Sequence, residues 1–281
     1  MSKGSQQHDA VDYPLLRDKD YGAPSLFLPA NLLREARRQQ NSCDVPVPAV
    51  ALLDPDGDIV SFLETSGLGQ RHPGWSCYHT AMWVTNLGGV EVGVVGSAVG
   101  SSFAVLVAEQ LAASGARLVV SITSAGQISP VARLPCFMLL DKALRDEGTS
   151  AHYQPPAQWS RLDPALRTRL SGAFGHLDEP VLTGSSWTTD APYRETRTAI
   201  AAAKRQEVTC VEMEAAALYA YAAARRQQVV CLAHLTNVMG TAEGDFEKGP
   251  NNGVHDALAV CRAVASALGF DHKAGSERLR G

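Results

Sequence analysis

Four nearly unbroken apolar runs, each of strand length, constrain this chain more than any other feature. They span residues 47–53, 90–95, 117–123 and 229–236. A strand reads as a continuous apolar run when both faces of its sheet are covered. Helical stretches alternate with these runs, at 31–40, about 102–114, 212–226 and 252–268. That alternation specifies an α/β protein with helices on both sides of the sheet. Local signals support it. Asn31 is the expected cap of the first helix, and Asp54-Pro-Asp-Gly57 supplies a turn. Gly88-Gly89 sits between two apolar runs as a hairpin turn, and Asp163-Pro164 opens a later helix. No low-complexity linker or repeat divides the 281 residues. One domain over 25–281 is expected, preceded by an arm over 1–24 that is disordered or covers a neighbour.

Composition removes several function classes. Lys+Arg 25 against Asp+Glu 29 leaves a net charge of −4, so no basic stripe is available for a nucleic acid. The apolar stretch 92–108 is interrupted by Gly93, Gly96, Gly100 and several serines, unlike a membrane span. Six scattered cysteines form no CxxC pair and no zinc spacing. They read as core residues of a protein in a reducing compartment. The N-terminus has no apolar core of a secretory signal. The expected location is therefore the cytoplasm.

In an α/β sheet, ligands collect at the carboxyl ends of the strands. Four segments fall there. Gly96-Ser-Ala-Val-Gly-Ser-Ser102 precedes a helix and offers backbone N–H groups to an anion or a sugar. Ser124-Ala-Gly126 is a second small-residue loop. Val211-Glu-Met-Glu-Ala215 places two carboxylates at a helix start, where they either cap the helix or serve a ligand. Thr236-Asn237 is a polar pair ending a buried strand.

The segment Val211-Glu-Met-Glu-Ala-Ala-Ala-Leu218 closely resembles a signature of the nucleoside phosphorylase/nucleosidase superfamily that includes uridine phosphorylase. Other segments match in order. Gly96–Ser102 resembles the ribose/phosphate loop and Ser124-Ala-Gly126 the second anion loop. Arg145 to Tyr153 is similar to a mid-chain stretch of uridine phosphorylases, and Thr188-Thr-Asp190 to the base-site loop. The resemblance implies a three-layer α/β/α fold with a central mixed sheet, and cleavage of a nucleoside's N-glycosidic bond. It implies that Glu214 accepts hydrogen bonds from ribose hydroxyls, Met213 packs under the sugar and Glu212 assists. It also implies a homo-oligomer, a dimer or a trimer of dimers, with nucleoside and either phosphate or water as partners. No metal, organic cofactor, nucleic acid or membrane enters that reading; phosphate is at most a co-substrate.

Departures from the family pattern sharpen the expectation. The arginines that phosphorylases carry at the first and second anion loops are replaced by Leu53-Asp-Pro-Asp-Gly-Asp58 and Ser121-Ile-Thr-Ser124. Each missing arginine–phosphate bond removes about 1.5–3 kcal/mol. Arg71 or Arg133 are the candidates to replace them. Nucleosidases resemble this chain in Ser-Ala-Gly and in an acidic first loop, which makes Asp58 the expected base for water. Asn237 stands where adenine-type enzymes have an aspartate; an amide suits an oxo base, pyrimidine or 6-oxopurine. Stacking falls to Tyr193 or Tyr153. The expected site is Asp58, Glu214 and Asn237 for chemistry, with Gly96, Ser97, Ser124, Asp190, Tyr193, Glu212 and Met213 for binding. Phosphorolysis is the expected reaction, with hydrolysis its rival and a non-catalytic nucleoside-binding or storage protein the remaining alternative.

Overall fold

The computed structural model of the chain describes residues 13–131, 133–239 and 247–271. His8 and Gly240 lie outside these residues. The apolar runs form strands as expected: β1 (Val50–Asp54), β4 (Val90–Gly96), β5 (Leu118–Gln127) and β10 (Gln228–Val238). The hairpin is present. β3 (Met82–Leu87) pairs antiparallel with β4, and Gly88 and Gly89 hold the turn at φ 60° and 98°. β2 (Gln70–Arg71) extends that edge. β6 (Cys136–Asp146), β7 (Trp159–Arg161), β8 (Val181–Thr189) and β9 (Cys210–Glu212) complete a mixed sheet.

Among the described residues the helices are α1 (Pro29–Gln40), α2 (Asp58–Ser66), α3 (Ser101–Ala113), α4 (Pro164–Arg169), α5 (Arg197–Arg205), α6 (Ala215–Arg225) and α7 (Val254–Ala267). α3 and α6 pack together with α1 outside them, while α2 and α7 pair elsewhere on the sheet. All five residues of β1 are buried, which requires cover on both faces. Asn31 is not the cap of α1. Pro29 at the first turn opens the helix earlier, with Leu28 at the cap, because a proline there gives up no needed N–H. Asp163 does cap α4, accepting the N–H groups of Ala165 and Leu166. Residues 13–24 of the arm meet their own chain. Tyr21 donates to the Ala151 carbonyl at 3.2 Å, and Lys19 Nζ lies 3.1 Å from His152 Nδ1. Five of the six cysteines are buried; Cys43 is exposed. Trp75 is a core residue, with its N–H on Thr80 Oγ1 at 3.0 Å. No helix among the described residues is long and apolar enough to cross a membrane.

The sheet divides at β5. One edge of β5 carries β10 along its whole length. The other edge carries β1 over Leu118–Ser121 and then β9, antiparallel, at Gly126 and Gln127. Neither strand pairs with Ile122 to Ala125 on that edge. Beyond this point the strands β5, β10, β6, β8 and β9 pair in sequence and close on β5 as a ring. Such a divergence opens a crevice at the carboxyl end of β5.

Tyr219 joins α6 to two of these strands. Its hydroxyl donates to the Leu140 carbonyl at 2.5 Å and accepts the Cys231 N–H at 3.1 Å, fully buried. Tyr219→Phe leaves both backbone groups short of a partner and is expected to cost about 1–3 kcal/mol. Urea denaturation with an unchanged midpoint would show that the strands find other partners.

Candidate functional site

β9 ends at Glu212, and the chain enters α6 after only Met213 and Glu214. The helix therefore begins three residues later than its sequence pattern suggests, since Glu212 is still in the ladder beside Thr188 of β8. Its carboxylate turns onto the helix start. Glu212 Oε2 accepts the N–H groups of Glu214 and Ala215, each at 2.7 Å, and Oε1 accepts the Thr188 hydroxyl at 2.5 Å. Thr188 Oγ1 in turn accepts the Ala216 N–H. Glu212 is thus a buried cap of α6, and the helix N–H groups satisfy its charge. Burial still raises its pKa against the pull of Thr188 and the two amides.

Glu214 stands at the N-cap position of α6 and is 1% exposed. The Gly100 N–H donates to its Oε1 at 2.7 Å, and Ser101 Oγ donates to the Met213 carbonyl at 2.8 Å. These bonds dock the loop after β4 on the Glu-Met-Glu turn. In that loop Gly100 has φ 87° and Ser97 has φ 63°, a strained angle for a residue with a side chain. Burial, then the charge of Glu212, pushes the Glu214 pKa up to about 8, opposed by Gly100, Thr123 and Met213.

A second cluster fills the crevice of β5. Ser124 donates both its N–H, at 3.0 Å, and its hydroxyl to Asp56 Oδ2. Lys248 Nζ reaches the same oxygen at 3.1 Å and Asp58 Oδ2 at 2.5 Å. Asn252 donates to Asp58 Oδ1 at 3.0 Å. Both oxygens of Asp58 are therefore engaged by residues of the 247–253 segment, and the carboxylate that meets Ser124 is Asp56. Ser97 Oγ lies 3.2 Å from where a side chain on Gly57 would begin, so the loop that reaches Glu214 also touches this cluster. Burial would lower the Lys248 pKa, but Asp58 and Asp56 outweigh it and raise it. Asp54 sits beneath, accepting the Val60 N–H at 3.0 Å; burial lifts its pKa to about 6. The expected acidic repulsion is thus met by a lysine. Arg71 lies on β2 at the outer edge of the sheet, and Arg133 is exposed between β5 and β6.

Among the residues expected to meet the base, Asn237 pairs in register with Gly126; Ser124-Ala-Gly126, expected as a loop, is the last part of strand β5, held in the ladder by β10. The Thr236 hydroxyl donates to its Oδ1 at 3.3 Å. Asp190 accepts the Gly148 N–H at 2.9 Å, joining the base-loop segment to the mid-chain stretch. The aromatic candidates are not in the crevice. Tyr193 is 99% exposed. Tyr153 binds Glu109 and lines a groove of about 620 Å³ between α1, α3 and α6. Sequence reasoning gave no site role of their own to Asp56, Thr123 and Thr188, and missed Lys248 altogether. The last of these comes from a loop with no periodic signal, 192 residues from Asp56.

The phosphorylase superfamily model matches residues 51–268. The chain belongs to the phosphorylase superfamily. No curated protein matches it. For this phosphorylase-superfamily chain, the matched span runs from β1 to just past the end of α7, taking in both clusters. Membership points to nucleoside phosphorylase or nucleosidase-type activity, with nucleoside and phosphate as the family's substrates.

Glu214 makes stability depend on pH. Its folded pKa of about 8 exceeds the ordinary 4.5, so between those values the folded state binds more protons than the unfolded one. Stability therefore falls as pH rises through that window. His234, pushed to about 4 by burial and Lys248, acts in the opposite sense, but only below about pH 6.5. From about pH 6.5 to 8 the melting temperature is expected to fall, and Glu214→Gln to flatten the slope. Equal slopes in calorimetry would mean that Glu214 ionises in the folded chain at no cost.

Proposed function

We propose that this protein cleaves the N-glycosidic bond of a nucleoside carrying an oxo-type base. The observation that carries the reading is the Glu214 carboxyl, buried in the family signature and bonded at 2.7 Å to the N–H of Gly100 in the loop after β4; burial and the charge of Glu212 push its pKa up. The C1′–N bond breaks, the base leaves with the bonding pair, and an acceptor oxygen bonds to C1′; when the acceptor is water, the proton it loses goes to the departing base. The sugar becomes cationic on the way. A buried carboxylate is stabilised most beside that cation, so its contribution grows toward the transition state. Met213 supplies a soft surface under the ring, and Asn237 offers an amide to a base carbonyl and ring nitrogen. The mechanism uses no metal or organic cofactor.

Of the two acceptors, one observation favours water over phosphate. Asp56 already takes both donors of Ser124. A phosphate dianion there would have to displace a carboxylate. The test is a panel of nucleosides followed by chromatography with and without phosphate, measuring ribose and ribose 1-phosphate separately. Base release from an oxo-base nucleoside is expected without phosphate. Glu214→Gln is expected to lower kcat/KM roughly ten- to a hundredfold, the loss of one charged hydrogen bond of about 1.5–3 kcal/mol. Saturable phosphate dependence with ribose 1-phosphate as product would establish phosphorolysis instead. Nucleoside binding without base release would make the protein a binding or storage protein.

The reading includes a homo-oligomer. Leu26, Phe27 and Leu28 stand exposed beside α1, as does Tyr193 at the base-loop segment, and a neighbouring subunit would cover such residues. Light scattering is expected to show at least a dimer; an active monomer would overturn this.

A further inference from the structure

We propose a second binding site, for an organic phosphate, at the far end of α6 from Glu214. Glu214 is the N-cap of that helix and Arg226 its C-cap, and the helical residues between them span roughly 16 Å. Beside the Arg226 end, β7, α4 and the start of β10 surround a cavity of about 580 Å³. Cavities of that size hold small organic ligands. Three arginines line it: Arg161 from β7, Arg169 from α4 and Arg226. All three are exposed, so a ligand reaches them from solvent, and none has a carboxylate partner among the described residues. Their neighbours do have one. Arg167 pairs with Asp141 at 3.6 Å and Arg225 with Glu109 at 2.9 Å. The acid on the cavity wall is Asp163, and its Oδ1 is committed to the N–H groups of Ala165 and Leu166. Guanidinium groups gathered around one concavity repel one another and focus positive potential there, in a chain whose net charge is −4. A phosphate dianion answers that potential, and a planar guanidinium offers it two parallel N–H groups. Gln228 points to the rest of the ligand. It lines the same cavity, and its Oε1 is buried without a hydrogen-bond partner among the described residues. A hydroxyl arriving with a ligand satisfies such an acceptor. Leu162, Leu166 and Val229 give the remainder an apolar wall. The ligand class is therefore a phosphate monoester whose apolar body carries a hydroxyl. The site is separate from the Glu214 cluster and does not depend on the cleavage reading.

The experiment titrates 4-hydroxyphenyl phosphate calorimetrically into the full chain, with inorganic phosphate and hydroquinone as the two halves of that probe. The ester is expected to bind saturably at submillimolar concentration, and each half at least tenfold more weakly. Arg161→Gln and Arg169→Gln are each expected to weaken the ester about tenfold, the loss of one charge-assisted hydrogen bond. Arg34→Gln, on α1 outside the cavity, removes the same charge and is expected to change nothing. Gln228→Leu is expected to erase the advantage of the ester over phenyl phosphate, which lacks the hydroxyl. If a glutamine variant melts early, Arg169→Lys, which keeps the charge and loses the planar fork, gives the same comparison. Absence of saturable ester binding at millimolar concentration overturns the proposal. Ester binding that Arg161→Gln and Arg169→Gln together leave unchanged also overturns it, since the probe then sits elsewhere.

Discussion

Two carboxylates buried two residues apart, at Glu212 and Glu214, make the demand that the rest of the structure meets. Burying such groups without partners costs several kcal/mol each, so their partners must arrive from elsewhere in the fold. β8 sends Thr188, α6 turns its first N–H groups onto Glu212, β5 brings Thr123, and the loop after β4 supplies Gly100. Satisfying the pair thereby positions four elements against one another. The two are not served equally. Glu212 receives three strong bonds and becomes a cap. Glu214 receives the Gly100 bond and weaker contacts, and its pKa stays high.

The division of the sheet at β5 gives the second cluster its place. A strand whose edge lacks a neighbour over several residues exposes backbone donors. Here Asp56 closes that gap from the turn after β1, and Lys248 balances the charge. His234, stacked on Phe137 with ring centres 4.4 Å apart, packs from the far side against Gly253 at the start of α7. That packing braces the segment that carries Lys248.

Local features were legible in the chain. The Gly88-Gly89 hairpin and the Asp163 cap depend on a few adjacent residues, and both are present. The helix start at Asn31 failed because Pro29, a stronger signal, stood two residues earlier. Strands run on past their apolar stretches where their second halves are polar. β6 runs on to Asp146, and β8 through Ser185, Ser186, Thr188 and Thr189, buried polar residues that no apolar period marks. β9 is three residues long and α2 follows a turn directly, so neither offered a pattern.

The sequence by itself determined the α/β class, the family and the place of Glu212-Met-Glu214 at the start of a helix, because apolar periodicity and a contiguous motif are local properties. Only the tertiary structure decided that Glu212 caps while Glu214 faces the crevice. It also decided that Asp56 rather than Asp58 meets Ser124, and that Lys248 answers both aspartates. Those outcomes depend on contacts between residues as far as 192 positions apart. Such contacts follow from the path of the strands through space, and no run of neighbouring residues encodes that path.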